Sequence, residues 1–361
     1  MALNMNLINN HLSRQAGHPL SRLLSSRFCS SVGVRTITAF SVLLCALLVA
    51  GCRNPWYLIA QPARLWVAVP SQRRLFELDR EGLRTTLGQV FLEASPARLA
   101  WSPMMRQVVA LMPEARSAAI IDPGLLRVVQ TVGVGGTPVD VGVPEGASSA
   151  HVLLADDRAV AVIDLRTGRV RRVALSPTGG KPAVLACPRN GQDESWILAE
   201  DGRIEVVRDG MLQQPGVPIP GIQRPVRMVP DRQIGVAVLD AARSTLVRLN
   251  AARGDAATSV GIGSVTGGGL PADLAIAPDG KVGITFPDAG RLVVMEPDGR
   301  SQAYVSGASG ARALVADARG FHVAHEGPNQ VFSLTWSGTT LLAARWVDTL
   351  PGPPVALATL D

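Results

Sequence analysis

The feature that most constrains the fold of this chain is an internal repeat of about 43 residues. A copy opens with a Pro-x-x-apolar-small-apolar segment, which is followed closely by a turn, and this segment is degenerate in the copy that starts at Gly310. Copies start at Pro96, Pro138, Pro182, Pro225, Pro271, Gly310 and Pro354, so that successive starts are 39 to 46 residues apart. Periods near 40 residues are typical of arrays in which each repeat is one supersecondary unit. The chain is therefore expected to fold as a repeat protein.

Each copy continues with the same order of strand signals. A β-rich segment such as Val108–Leu111 is followed by a polar turn and by a second apolar run that often ends in a carboxylate, as in Ile120–Asp122. A fourth segment then leads back through a Gly-rich loop such as Gly133–Gly136. No amphipathic helix interrupts the short strands. Because four strands per repeat make a propeller blade, the sequence predicts an all-β, seven-bladed β-propeller of four-stranded antiparallel blades.

The two ends of the repeat region are complementary. It begins on a second-strand segment, Leu65–Val69, and ends on an innermost-strand segment, Pro354–Leu360. The last strand is therefore expected to pair with the N-terminal strand and complete the first blade, which leaves no lone edge in the ring. A two-sheet sandwich is the structural alternative, but seven equal repeats argue against it.

The N-terminal region has the composition of a secretory signal. Basic residues through Arg35 precede the uncharged stretch Thr36–Ala50, as in the charged and apolar regions of such signals. This stretch is short for a membrane-spanning helix, which needs about 20 apolar residues. The polar segment before it is unusually long, so the translation start is expected downstream of Met1.

Residues 48–52 read LVAGC, which resembles the bacterial lipobox. The resemblance implies cleavage before Cys52 and a lipid on its thiol, with palmitate among the acyl chains. It divides the chain into a signal peptide (1–51), a lipidated tether (52–62) and a propeller (63–361). Arg53 stands where Asp would be expected for retention, which favours the outer membrane if the cell is Gram-negative. The alternative is an ordinary signal peptide or signal anchor with a chance cysteine.

The repeat itself resembles the YVTN family of propeller repeats. Residues 161–170 read AVIDLRTGRV and residues 275–281 read AIAPDGK. In that family the Pro-led strand is innermost, and the Asp-containing Thr-Gly segment turns between the outer two strands. The resemblance covers roughly residues 62–361, and it implies an architecture more specifically than a function.

The net charge limits the kind of partner that is expected. The net charge is +6, but residues 1–51 contain four arginines and no acid, so the remainder carries only about +2. Nucleic-acid binding is not expected, because it requires clustered Lys and Arg on a strongly basic domain.

After cleavage only Cys52 and Cys187 would remain, so no disulfide framework is available. Cys187 falls at an apolar position of an innermost strand and is expected in the core.

Few residues have the pattern of a catalytic or metal centre. Of the histidines beyond the leader, His322 and His325 lie three apart in an apparent strand, which sends them to opposite faces and makes them a poor metal pair. Glu326 beside them keeps a catalytic role open. No P-loop, serine elbow or paired-cysteine motif occurs, and the tryptophan-docking repeats of quinone-binding propellers are missing. The sequence predicts no cofactor and no metal.

One constellation of polar residues recurs with the repeat. Two residues after each repeat start lie Arg98, Asp140, Val184, Arg227, Asp273, Arg312 and Ala356. Equivalent positions in a propeller surround the axis, so the charged residues are predicted to form a binding ring at one mouth of the channel. Two readings stay open. In one, Arg and Asp pair with each other and close the channel. In the other, they form a recognition surface, and replacing Arg98 and Arg227 with Ala weakens partner capture without changing thermal stability.

These observations lead to two hypotheses of function. The first is a membrane-anchored, non-catalytic binding or scaffold lipoprotein of the cell envelope, whose partner is an envelope protein or polymer. The second is a propeller hydrolase or lyase, similar to lactonases, that acts at the channel mouth through residues such as His322, His325 or Glu326. An axial ring of Arg and Asp without His favours the first hypothesis.

Overall fold

The computed structural model describes residues 64–79, 86–231, 235–250, 256–261, 269–297, 300–305, 310–337, 340–346 and 349–360. The part of the chain from Pro62 to Asp361 forms a unit of its own. The predicted signal peptide, Cys52 and the tether lie outside the described residues.

Strands β1 to β15 belong to the first four blades, which also contain two short 3-10 turns, Pro70–Gln72 and Pro113–Ala115. Blade 1 contains β1 (Arg64–Val69), β2 (Arg74–Asp79) and β3 (Thr86–Phe91). Blade 2 contains β4 (Arg98–Ser102), β5 (Gln107–Met112), β6 (Ser117–Asp122) and β7 (Arg127–Gly133). Blade 3 contains β8 (Asp140–Gly142), β9 (Ser149–Leu154), β10 (Ala159–Asp164) and β11 (Val170–Ala174). Blade 4 contains β12 (Pro182–Ala186), β13 (Glu194–Ala199), β14 (Arg203–Arg208) and β15 (Met211–Pro218).

The remaining repeats supply three more blades and the closing strand. Blade 5 contains β16 (Pro225–Asp231), β17 (Gly235–Asp240), β18 (Thr245–Asn250) and β19 (Ala256–Gly261). Blade 6 contains β20 (Asp273–Ile276), β21 (Val282–Phe286), β22 (Arg291–Met295) and β23 (Ser301–Val305). Blade 7 contains β24 (Ala311–Asp317), β25 (Gly320–His325), β26 (Gln330–Ser337) and β27 (Thr340–Trp346). The last strand is β28 (Ala356–Leu360).

The strand pairing confirms the predicted fold. The described residues form seven four-stranded sheets, each antiparallel throughout, and the opening segment of every repeat, which begins with Pro in six of the seven, supplies the innermost strand. In blade 1 that strand is β28, which pairs with β1 from Ala356 opposite Ala68 to Leu360 opposite Arg64. The ring is therefore closed by the N- and C-terminal strands, as the complementary ends of the repeat region predicted.

The core is divided among the interfaces between blades. Seven clusters of buried apolar residues occur in the described part of the chain, and each joins two neighbouring blades. In the cluster between blades 1 and 2, for example, Trp66 and Val90 pack with Val108 and Ile121. A blade buries both faces against its neighbours, which is why β9, β13 and β17 are buried at every position instead of alternating.

Antiparallel pairing sorts the loops onto two faces. The loops that lead into the innermost strands lie on the same side as the turns between the second and third strands, and this side is the mouth face. The turns between the third and fourth strands lie on the opposite side, the far face, where β1 also begins. On the mouth face, residues such as Arg116 (φ 48°) and Arg158 (φ 45°) occupy left-handed positions, and their carbonyls accept hydrogen bonds from the start of the next loop at 3.0 and 2.9 Å.

No helix among the described residues has the length and apolar character needed to span a bilayer.

Candidate functional site

The strand registers show which residues share a position around the channel mouth. Arg98 pairs with Leu111, Asp140 with Leu153, Val184 with Leu198, Arg227 with Leu239, Asp273 with Thr285, and Ala356 with Ala68. These six positions are equivalent, as the repeat spacing predicted. Blade 7 differs, because its repeat starts one residue later than predicted. Ala311, opposite His325, corresponds to Pro225 of blade 5, and Ala313, opposite Ala324, holds the equivalent position after a bulge like those of blades 4 and 5. Arg312 therefore lies in the bulge, one residue away from the ring.

Three of the ring residues form one ionic cluster. Nη1 of Arg227 donates to Oδ1 of Asp140 at 3.1 Å, and Nε of Arg227 lies 3.0 Å from Oδ1 of Asp273. The two carboxylates are only 4 % and 3 % exposed. Burial alone would lower the pKa of Arg227, but the charges of Asp273 and Asp140 outweigh it and raise the pKa above its usual value. The guanidinium is thus permanently charged and held between blades 3, 5 and 6.

The same carboxylates also connect neighbouring blades through the backbone. Oδ2 of Asp140 accepts a hydrogen bond from the N–H of Leu185 in blade 4 at 3.0 Å, and Oδ2 of Asp273 accepts one from Leu314 in blade 7 at 2.8 Å. Each Oδ1 accepts a second bond from the next residue of its own strand, Val141 or Leu274. Both aspartates are therefore engaged on both oxygens, and their first role is to fix innermost strands to one another.

The rest of the mouth is less polar. Val184, Ala313 and Ala356 carry no charge. Arg312 pairs with Glu326 at 2.8 Å and is 61 % exposed, which directs it away from the Asp–Arg–Asp cluster. Within the described part of the chain, the side chain of the half-buried Arg98 makes no hydrogen bond and no ion pair. Arg98 is thus the ring residue whose charge is available to a partner.

Small residues that follow five of the seven ring positions allow close packing between blades. Two residues after the ring positions lie Ala100, Gly142, Ala186, Ala275 and Ala358. At Gly142, a Cβ atom would lie 2.6 Å from Sγ of Cys187 and 2.8 Å from Cδ2 of Leu185. Cys187 is 5 % exposed and packs in the core between blades 3 and 4, as predicted. Its burial raises the pKa of the thiol well above the ordinary value, so the thiol is unreactive.

The two histidines of β25 lie in different environments, as their odd spacing predicted. Nε2 of His322 lies 2.8 Å from Oδ2 of Asp317, and its Nδ1 lies 2.7 Å from Oγ of Ser333. His325 packs edge-on against Phe332, with 5.9 Å between ring centroids. The two imidazoles are 3 % and 0 % exposed, so neither faces the channel mouth. Glu326 is engaged with Arg312 instead.

A second histidine cluster was not predicted. His151 of β9 is buried, with Nδ1 2.8 Å from Oγ of Ser195 and Nε2 2.9 Å from Oδ1 of Asp193. Hydrogen bonds from His151 and then Ser149 lower the pKa of Asp193 below its ordinary value. The residues resemble a hydrolytic triad in type, but Ser195 is fully buried. The spacing of the two residues could have indicated this contact. His151 and Ser195 are 44 residues apart, about one repeat, which places them at equivalent positions of neighbouring blades.

No group of three or more His, Cys, Asp or Glu side chains with the geometry to hold a metal ion occurs among the residues that the structure describes. Cys52, the predicted lipidation site, lies outside them.

Comparison with known proteins shows the fold alone. No family model matches the chain, so the YVTN and lipobox resemblances stay predictions. No curated protein matches it either.

Solved structures do match. A functionally unknown protein from Desulfotomaculum acetoxidans has 14 % identity, with 82 % of this chain and 98 % of that chain covered, at a TM-score of 0.67. A protein proposed to be a 6-phosphogluconolactonase, from Bacteroides fragilis, has 13 % identity over 83 % of this chain and 98 % of that one, at 0.64. Virginiamycin B lyase from Staphylococcus aureus has 14 % identity over 68 % and 83 %, at 0.56. At such low identity these likenesses support the β-propeller fold and carry no activity over to this chain.

Proposed function

We propose that this protein is a lipid-anchored lipoprotein of the cell envelope whose propeller binds a partner, an envelope protein or polymer, at the mouth face without catalysing a reaction. The observation that carries this proposal is the state of the polar groups at the mouth. Asp140 and Asp273 each accept backbone hydrogen bonds on both oxygens and share Arg227, so neither carboxylate is free to act as a general acid or base.

The buried histidine clusters support the same conclusion. His151 and His322 each bond to a serine and an aspartate inside the blades. A catalytic base must come within hydrogen-bond reach of a substrate, and imidazoles that are 0 % and 3 % exposed do not. A binding role does not require an accessible base at the mouth face. Loops on a rigid scaffold and one available cation, Arg98, suffice for recognition.

The proposed anchor explains how the propeller would be retained at a membrane. The lipid on Cys52 would be the attachment, and the outer membrane is the destination favoured by Arg53 if the cell is Gram-negative. In a Cys52→Ala variant, the protein should move from the membrane fraction to the soluble fraction of the envelope and lose incorporation of a palmitate analogue. Retention of the variant in the membrane fraction would contradict the anchor.

The binding role is tested by photo-crosslinking of the full-length, lipidated protein in cells. A crosslinker at the exposed mouth residue Glu114 should give a discrete adduct, and Arg98→Glu should reduce its yield about tenfold. The matched control is Glu145→Arg, which changes the charge of an exposed residue on the far face. Equal adduct yields for both variants, or turnover of a lactone by purified protein, would contradict the proposal.

A further inference from the structure

The far face carries exposed cations and exposed apolar side chains on three neighbouring blades. The cations are Arg127, Arg166 and Arg169, and the apolar residues are Leu125, Val170 and Met211, which are 54 %, 37 % and 60 % exposed. These six residues, named the rim patch, lie in or beside the turns between the third and fourth strands of blades 2, 3 and 4. Large exposed apolar side chains grouped in this way mark an interaction surface.

Contacts between the blades make the rim patch continuous. The turn of blade 3 lies against β7 of blade 2, where Gly168 leaves no room for a Cβ beside Gln130. The turn of blade 4 lies against β11 of blade 3, where Nη2 of Arg171 donates to the carbonyl of Asp209 at 2.8 Å. Each turn thus rests on the outer strand of the preceding blade, and the six side chains share one edge of the far face.

The charge of this edge is positive. Segments 122–130, 164–172 and 209–211 contain five arginines and three aspartates, a net charge of +2. The side chains of Arg127, Arg166 and Arg169 form no hydrogen bond and no ion pair among the described residues, although the charge of Arg166 attracts the nearby carboxylate of Asp164. Two of the aspartates are used locally: Oδ1 of Asp122 accepts the N–H of Gly124 at 2.8 Å, and Oδ1 of Asp164 accepts that of Arg166 at 2.9 Å. The cations are therefore available to an anionic surface.

The chain enters the propeller at the same face. Arg64, the first residue of β1, pairs with Asp79 at the far-face end of β2. An extended chain from Cys52 to Arg64 spans at most about 43 Å, at 3.6 Å per residue. A lipid on Cys52 would thus tether the propeller at its far face.

We propose that the rim patch docks on an anionic phospholipid surface, which orients the propeller with its mouth face directed away from the membrane. The proposal rests on the lipid anchor proposed above for its orientation. Apolar side chains at the headgroup boundary together with basic residues that attract anionic lipids are the combination used by interfacial anchors. A lipid chain plus a basic patch is also a known way to make membrane attachment stable.

The test uses the full lipidated protein in vesicles that contain brominated lipid as a fluorescence quencher. A fluorophore is placed at Val129→Cys, beside the rim patch, or at Leu270→Cys on the mouth face, which are matched at 50 % and 49 % exposure. Cys187 is buried and stays unlabelled. In vesicles with phosphatidylglycerol, quenching at position 129 should be at least about threefold stronger than at position 270. The Arg127→Glu, Arg166→Glu, Arg169→Glu triple variant should reduce it to the level of position 270.

The outcomes separate the two proposals. Flotation of the protein with the vesicles but equal quenching at both positions, or quenching unchanged in the triple variant, overturns the rim patch alone. Protein that does not float overturns the lipid anchor and, with it, the orientation. Protection of position 129 by soluble polyglutamate but not by the vesicles would overturn lipid docking in favour of an acidic polymer.

Discussion

At the scale of single residues, Arg227 is the side chain whose role in the structure differs most from the predicted one. The sequence placed it in a ring of candidate binding residues, equivalent to Arg98. In the structure it is the counter-charge of two nearly buried carboxylates. Equivalent positions in the repeat thus carry one arginine that supports the fold and one that is available to a partner.

Replacing Arg227 with Ala should lower the free energy of unfolding by about 3–5 kcal/mol, because it leaves Asp140 and Asp273 buried without their counter-charge. Replacing Arg98 with Ala should change it by less than about 0.5 kcal/mol, since the Arg98 side chain has no partner in the described structure. Urea denaturation of the two variants measures the difference. Equal midpoints would contradict the assignment of Arg227 to the fold.

The cluster around His151 predicts a dependence of stability on pH. The bond from His151 lowers the folded-state pKa of Asp193 below its ordinary value of 3.8. The unfolded chain therefore binds the proton more readily, so this stabilisation is present above about pH 3.8 and is lost as pH falls towards the folded pKa.

Asp193→Asn should accordingly lower stability at neutral pH and flatten the decline below about pH 4. Unfolding midpoints measured in urea between pH 7 and pH 3 test this. Asp288→Asn, at an exposed turn, is the control and should keep the decline of the original protein. If the stability of Asp193→Asn fell as steeply below about pH 4 as that of the original protein, Asp193 would not be the cause of the acid-dependent loss.

At the scale of elements, the unit of stability is the interface between two blades rather than the blade itself. Each core cluster draws its residues from two blades. Innermost strands approach one another closely near the axis, so the size of their side chains is restricted there. The contact of Gly142 with Cys187 is the clearest case.

Gly142→Ala should destabilise the protein by about 1–3 kcal/mol, because its Cβ would overlap Sγ of Cys187 and Cδ2 of Leu185. The double variant Gly142→Ala, Cys187→Ala should recover part of this loss, since the thiol is then removed. Gly133→Ala, whose Cβ would meet nothing within 4 Å, is the matched control. Thermal denaturation of the original protein, the single variants Gly142→Ala and Cys187→Ala, and the double variant gives the interaction between the two sites. Strict additivity of the two substitutions would contradict the steric explanation.

At the scale of the whole molecule, stability depends on closure of the ring by β28. This strand pairs with β1 and buries Leu357 and Ala358, which are 6 % and 5 % exposed. Closure also removes the unpaired edges that an open array of strands would present.

Deleting residues 354–361 should therefore cost more than about 4 kcal/mol, because the loss of Leu357 alone is in the range of large-to-small core substitutions. Circular dichroism in urea and limited proteolysis measure the effect, and deletion of Asp361 alone is the control. A synthetic peptide of residues 354–361 should restore protease resistance by adding the missing strand. Equal stability of the two deletion variants would show that closure contributes little.

The sequence by itself determined the repeat, and with it the number of blades, the identity of the innermost strands and the closure of the ring. It could do so because seven copies of one strand order repeat the same local signal. The ring register was also predictable in six blades but not in blade 7, because no proline marks the start of that repeat. Spacing that varies from 39 to 46 residues does not distinguish Gly310 from Ala311 as its first residue.

Only the tertiary structure decided which charged residues are paired. Arg98 and Arg227 are indistinguishable by repeat position, yet Arg227 forms ion pairs with Asp140 and Asp273, whereas Arg98 forms one with neither of them. These pairs depend on three-dimensional distances between blades, since Asp140 belongs to blade 3 and Asp273 to blade 6, whereas Arg227 belongs to blade 5. Burial of the carboxylates makes the pairing structural. The same reason applies to His151, whose partners are contributed by the next blade. Repetition in the sequence fixes where residues lie around the axis, and packing decides what each of them contacts.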